Sequence, residues 1–287
     1  MQPSTRMAAI LACVLSLRGL HALPQQPRDI DTRVDIGGYA LHLTCQGNGS
    51  PTVVLASGLE ASARTWQRVV PEVQKLTRVC SYDRAYVGSS DPAPREVRRI
   101  GDRTFIELRS GQDLVQDLRK LLLKAAEPSP YVLVGHSFGG SAAMLYAHHY
   151  PGDVVGMVLV DSTHPEQTRR LGAFMTATEA KLARDGFIQN REGFDIERIL
   201  GEVGATRWRT DIPLVVLAAG RPDPNPTTRS TQEAKVWRDL QIDLSQRSPN
   251  GKLIVAEKSG HNIQVDQPEL VTEAIRDVVA ATRARVR

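Results

Sequence analysis

Tyr131-Val132-Leu133-Val134-Gly135-His136-Ser137-Phe138-Gly139-Gly140 joins a short apolar run to a Gly-x-Ser-x-Gly pentapeptide, and the residues after it have helical character to about His149. A short apolar run bounded by turn residues reads as a buried strand. A serine set between that strand and a helix sits on a tight turn, and the flanking glycines keep side chains from clashing in it. The helix that follows aims free backbone N–H groups at the serine, which favours negative charge developing there. The pentapeptide alone is short enough to arise by chance. Its strand-to-helix context makes Ser137 a candidate nucleophile, where the bland alternative is a serine that caps an ordinary helix.

The same alternation extends to both sides of this turn. Val34 to Ile36, Gly37-Gly38 and Tyr39 to Leu43 read as a hairpin, because adjacent glycines supply the positive φ of a tight turn. Thr52 to Ser57, Arg78 to Tyr82, Val154 to Val160, Ile212 to Ala218 and Lys252 to Ala256 have strand character. Trp66 to Leu76 has helical spacing, and Gly111 to Ala126 is an amphipathic helix with Leu114, Leu118, Leu121 and Leu122 on one face. A last helix opens near Pro268 and runs through Val279. Strands alternating with helices predict an α/β protein with a mostly parallel sheet covered on both faces. The stretch between Val160 and Ile212 breaks the rhythm with charged helical patterns and no strong strand. A loop of that length without structure of its own is unusual, so a small helical cap over about residues 163–210 is expected.

The chain has 287 residues, enough for one large domain or one domain with an insertion, and residues 30–285 are expected to form it. Its composition, 41% hydrophobic and 24% charged, is that of a globular protein. A net charge of +4 is weak and scattered, and only 5% of residues are aromatic, so no nucleic-acid partner is expected. Arg6 precedes an apolar run from Met7 to Leu17, followed by Arg18. That pattern fits a secretory signal peptide over residues 1–22 and is too short for a transmembrane helix. The expected location is secreted or periplasmic, with no stable membrane insertion of the mature domain. The alternatives are an uncleaved leader acting as an anchor, an over-extended start, or a lipobox at Cys13. Without the leader, Cys45 and Cys80 remain, an even number as expected where disulfides survive.

A serine hydroxyl needs a base at neutral pH. Of seven histidines, His261 stands apart, in Ser259-Gly260-His261-Asn262 between the last strand and the last helix. Ligands meet open α/β sheets at such strand-end loops. His136 is a neighbour of Ser137 whose side chain points elsewhere, so it reads as a packing residue, and His164 opens the cap. The third member of a triad is an acid that orients the imidazole. Asp223, after the strand Ile212 to Ala218, is favoured over Asp161, which follows the strand one earlier. Either could instead be a turn former. An oxyanion hole needs two donors, and the candidates are the N–H groups of Phe138 and of Leu59 in the loop after Thr52 to Ser57. No cysteine or histidine pair has metal-ligand spacing.

Five stretches together carry a family resemblance. They are Ser57-Gly58-Leu59, the Tyr82 to Asp91 run, Gly135 to Gly140, Leu159 to Glu166, and Ser259 to Val271. The chain resembles the bacterial α/β-hydrolase superfamily, in its serine esterase-like branch, over about residues 30–285. The resemblance implies an α/β-hydrolase fold with an eight-stranded sheet, a cap after the sixth strand, and hydrolysis without a cofactor. It also places the strands holding Cys45 and Cys80 side by side, which makes a disulfide between them sterically conceivable. Two departures stand out. Ser57 replaces the usual histidine of His-Gly, and Tyr86 stands where the family usually has glycine. The expected activity is cleavage of a small carboxylic ester through an acyl-enzyme on Ser137. Amide, lactone or C–C bond hydrolysis, and a non-catalytic binding protein on the same fold, are the alternatives.

Overall fold

In the computed structural model, residues 29–95, 97–100, 103–207 and 211–285 are described. The expected leader over residues 1–22 lies outside them.

The chain begins with β1 (Ile30–Asp35) and β2 (Ala40–Gln46), paired antiparallel around the Gly37-Gly38 turn, where both glycines have φ near 107°. β3 (Thr52–Ala56) leads through a 3₁₀ turn at Ala63–Trp66 and a short α1 (Val70–Val73) to β4 (Val79–Tyr82). The continuous helix expected over Trp66 to Leu76 is therefore broken. Pro71 is the reason: it has no N–H for the carbonyl four residues back, and its ring crowds that carbonyl. A small antiparallel hairpin, β5 (Val97–Ile100) and β6 (Arg103–Ile106), stands apart from the main sheet and has no counterpart in the sequence reading.

α2 (Gly111–Lys124) opens on a capping box in which Ser110 and Asp113 exchange hydrogen bonds. β7 (Tyr131–His136), α3 (Phe138–His149) and β8 (Val154–Val160) follow as expected. The stretch after β8 holds α4 (Gln167–Gly172), α5 (Ala177–Ile188) and α6 (Ile196–Ala205). The chain then returns through β9 (Leu214–Ala219), α7 (Thr228–Gln246), β10 (Gly251–Ala256), a short α8 (Ile263–Asp266) and α9 (Pro268–Arg285).

The eight long-range strands lie in the order β1-β2-β4-β3-β7-β8-β9-β10, and β2 alone runs antiparallel to its neighbours. Successive residues of a strand face opposite sides, and both sides are buried here. Leu133 packs toward α2, α3 and α6, while Val132 and Val134 pack with Trp66 and with Val271, Ile275 and Val278 of α9. Because β3, β7, β8, β9 and β10 are mutually parallel, their carboxyl ends share one edge. The loops after them hold Gly58, Ser137, Asp161, Gly220 and His261.

Cys45 and Cys80 face each other across the β2–β4 ladder and are joined by a disulfide. The bond links residues 35 apart in sequence, and Cys80 lies in β4, the strand that leads into Arg84. A loop of that size removes about 4 kcal/mol of conformational freedom from the unfolded chain. Replacing both cysteines by alanine should lower the unfolding free energy in urea by roughly that amount, about 3–4 kcal/mol. An unchanged midpoint would contradict this account of the bond.

Candidate active site

The turn at Ser137 is built by backbone contact closer than any side chain allows. Ser137 has φ of 52° and ψ of −122°, a conformation that L-residues rarely hold. A Cβ on Gly135 would lie 2.4 Å from the Gly139 carbonyl oxygen, and one on Gly139 would lie 2.1 Å from that of Ala56. The strained residue is held on both sides. Its N–H donates to the Val160 carbonyl (3.1 Å), and its own carbonyl accepts from Gly140 N (2.9 Å), Thr163 N (3.2 Å) and Thr163 Oγ1 (3.2 Å). Strain of this kind persists only where the surroundings over-determine it.

His261 sits in the loop after β10 with its side chain about half exposed. Its Nδ1 lies 2.6 Å from Oδ2 of Asp161, whose carboxylate is almost wholly buried. Oδ1 of the same carboxylate accepts from the backbone N–H of Ala219 (2.9 Å) and from the indole N–H of Trp237 (2.9 Å). A carboxylate cannot donate when ionised, so Nδ1 carries the proton and Nε2 is left with its lone pair.

The structure places Asp161, and not the favoured Asp223, against His261. Asp223 is exposed, and its oxygens accept from Asn225 N (2.9 Å) and Ser230 Oγ (3.0 Å) at the entry to α7. It lies four residues beyond the end of β9, where the chain has already turned into that helix entry. Asp161, by contrast, is the first residue after β8 and takes a left-handed turn, φ 42°, directly at the sheet edge.

His136 does more than pack. It is buried, its Nε2–H donates to the backbone carbonyl of His261 (2.9 Å), and the two rings lie 4.7 Å apart. The residue before Ser137 thus holds the loop that carries His261. Burial, with the nearby His261 ring, lowers the His136 pKa to about 4. Its Nδ1 is buried without a partner among the described residues, on the side where a Cβ on Gly58 would come within 3.1 Å of it and 3.3 Å of Ser137 Cβ.

That proximity puts the Gly58–Leu59 loop beside the serine. Neither Leu59 N–H nor Phe138 N–H has an acceptor among the described residues. Phe138 is buried against Phe194, with ring centroids 5.5 Å apart. Tyr86, in the usual glycine position, adopts φ of 71° and donates its hydroxyl to the Ala93 carbonyl. The Arg95 guanidinium lies over the Tyr86 ring, 4.8 Å from its centroid.

Sequence reasoning did not reach Trp237, Arg84 or Glu192. Trp237 lies on α7, whose charge-rich sequence has little amphipathic signal, so nothing in the chain marks it. Arg84 lies within the Tyr82 to Asp91 run that carries part of the family resemblance, but the pattern does not reveal its contacts. Cys45, Cys80 and Glu127 bring ligand-type atoms within 4.8 Å of one another. They do not suit a metal, since the disulfide takes both sulfurs and Glu127 is paired with Arg78. No helix among the described residues is long and apolar enough to cross a membrane.

The sequence pattern of the Alpha/beta hydrolase family matches residues 53–274. The Bacillus subtilis (strain 168) uncharacterized protein YqjL is 28% identical, covering 86% of this chain and 90% of that protein. Among solved structures, a candidate lipase from Acinetobacter baumannii AYE superposes with a TM-score of 0.63 at 18% identity, covering 90% of this chain and 93% of the other. A thermophilic esterase from Thermogutta terrifontis does so with a TM-score of 0.58 at 19% identity, covering 88% and 99%.

The His136 pKa has a consequence for stability. Its folded value of about 4 lies below the ordinary 6.5, so between these the unfolded chain binds more protons than the folded one. The favourable neutral burial is complete above pH 6.5 and is lost as pH falls toward 4. Denaturant melts across this window should show stability falling by up to about 3 kcal/mol from this residue. His164, buried and likewise lowered, adds in the same direction. In His136→Gln the fall should be visibly shallower; an identical pH slope would contradict the assignment.

Proposed function

Because the chain belongs to the alpha/beta hydrolase family, we propose that it is a serine hydrolase that cleaves small carboxylic esters through an acyl-enzyme on Ser137. One observation carries this reading. The buried Asp161 accepts from His261 Nδ1 at 2.6 Å, in the loop next to a strained serine at the same sheet edge.

In this mechanism His261 Nε2 takes the Ser137 proton as Oγ attacks the ester carbonyl. Asp161 keeps the imidazole in the Nδ1–H tautomer and stabilises the imidazolium. The tetrahedral oxyanion is met by the N–H groups of Leu59 and Phe138, and the α3 N-terminus adds to the favourable field. Collapse of the intermediate breaks the ester C–O bond, and the leaving alkoxide receives the proton from His261. Water, activated by the same base, then attacks the acyl-enzyme and releases the carboxylic acid and free serine. The same machinery accommodates an amide, lactone or C–C bond only with a pocket suited to it; the ester is the simplest substrate that needs nothing further. The Cys45–Cys80 disulfide supports a secreted or periplasmic location, since such bonds persist in oxidising compartments.

A fluorophosphonate probe should label the native protein and leave Ser137→Ala unlabelled. Turnover of p-nitrophenyl esters of graded chain length should fall by about 10⁴-fold in Asp161→Asn, where the histidine loses its tautomer. In Asp223→Asn it should stay within about twofold, as expected for an exposed residue away from the chemistry. A larger loss at Asp223 than at Asp161 overturns the assignment of the acid.

A further inference from the structure

Arg84 is the second residue beyond β4, and its guanidinium is buried. A buried cation requires a partner and a full set of acceptors. Nε and Nη2 donate to the two carboxylate oxygens of Glu192, at 2.6 and 2.8 Å, and Glu192 is itself wholly buried. Two further donors reach the backbone. Nη1 donates to the Ser57 carbonyl and Nη2 to the Gly58 carbonyl, each at 2.6 Å. One planar fork thus holds two successive carbonyls of the loop after β3, a geometry that a single ammonium cannot match.

The peptide between Gly58 and Leu59 is planar and trans, so its C=O and N–H point in opposite directions. Drawing the Gly58 carbonyl onto Arg84 therefore turns the Leu59 N–H away from the guanidinium. Gly58 itself lies against the nucleophile turn, since a Cβ on it would come within 3.3 Å of Ser137 Cβ. The next peptide is fixed as well: Glu60 N–H donates to Glu192 Oε1 at 2.6 Å, and the Glu60 carboxylate accepts from Arg191 N–H at 2.5 Å. Leu59 is thus bracketed by two peptides tied to one ion pair. Glu192 comes from the loop between α5 and α6, so the insertion itself completes the clamp.

We infer that Arg84, fixed by Glu192, is a positioning residue that aims the Leu59 N–H at the oxyanion formed on Ser137. The inference rests on the reading of Ser137 as the acylated nucleophile. It makes the stretch after β8 part of the catalytic geometry, because removing Glu192 releases the fork that sets the oxyanion loop.

The test compares Arg84→Lys with the double variant Arg84→Met/Glu192→Met, which removes the pair without leaving a buried charge alone. Thermal melts establish that each is folded. With a p-nitrophenyl ester, kcat should fall about 10- to 100-fold in both, since a misaimed donor forfeits part of what a deleted one does, while KM stays within about twofold. Binding of phenylboronic acid should weaken in parallel with kcat/KM. Its boron takes the Ser137 oxygen to form a tetrahedral anion as the serine proton passes to His261. A merely structural pair would lower the melting temperature without that parallel loss. Unchanged kcat and boronate affinity in either folded variant of an active protein overturn the inference alone. No ester turnover by the native protein overturns the functional reading, and this inference with it.

Discussion

A left-handed backbone at Ser137, with φ of 52°, is costly for a residue with a side chain, by about 1–3 kcal/mol. The sheet holds it there. The Val160 carbonyl accepts from its N–H, Thr163 and Gly140 donate to its carbonyl, and Gly135 and Gly139 let the flanking strands and helix close to backbone contact. Other features of the site are arranged around that turn. His136 is placed by it under the loop of His261, and Phe138 begins α3 with no acceptor for its N–H among the described residues. The same ladder contacts bring the end of β8, and hence Asp161, to the adjacent position along the edge.

Much of this was legible in the chain because it depends on short-range pattern. Strands buried on both faces appear as apolar runs, and β7, α3 and β8 lie where Tyr131 to Val160 place them. The serine between strand and helix and the histidine after the last strand are both strand-end signals of the same kind. What the pattern lacked was discrimination among strand ends. Asp161 and Asp223 both follow strands and both obey the order serine, acid, histidine. Only three-dimensional position separates a residue at the sheet edge from one already turned into the entry of α7.

The helix α7 escaped for a different reason. Its sequence is charge-rich and packs by only a few buried residues, among them Leu240 and Leu244, so neither amphipathic period nor apolar run announces it. Yet it carries Trp237, whose indole joins Ala219 N–H in filling the second oxygen of Asp161. In the same way the broken helix at Val70–Val73 reflects Pro71 overriding the apolar spacing around it. The buried fork of Arg84 is likewise a contact between distant segments, from the β4 edge to the α5–α6 loop, which no local pattern encodes.

Covalent chemistry at Ser137 is the central claim. Rapid quenching of the protein during turnover of p-nitrophenyl butyrate, followed by mass spectrometry of its peptides, tests that claim most directly. The prediction is a butyryl group on the peptide containing Ser137, assigned to the Ser137 oxygen and formed before steady state. Turnover with that serine unmodified, or with the acyl group on another residue, would contradict it.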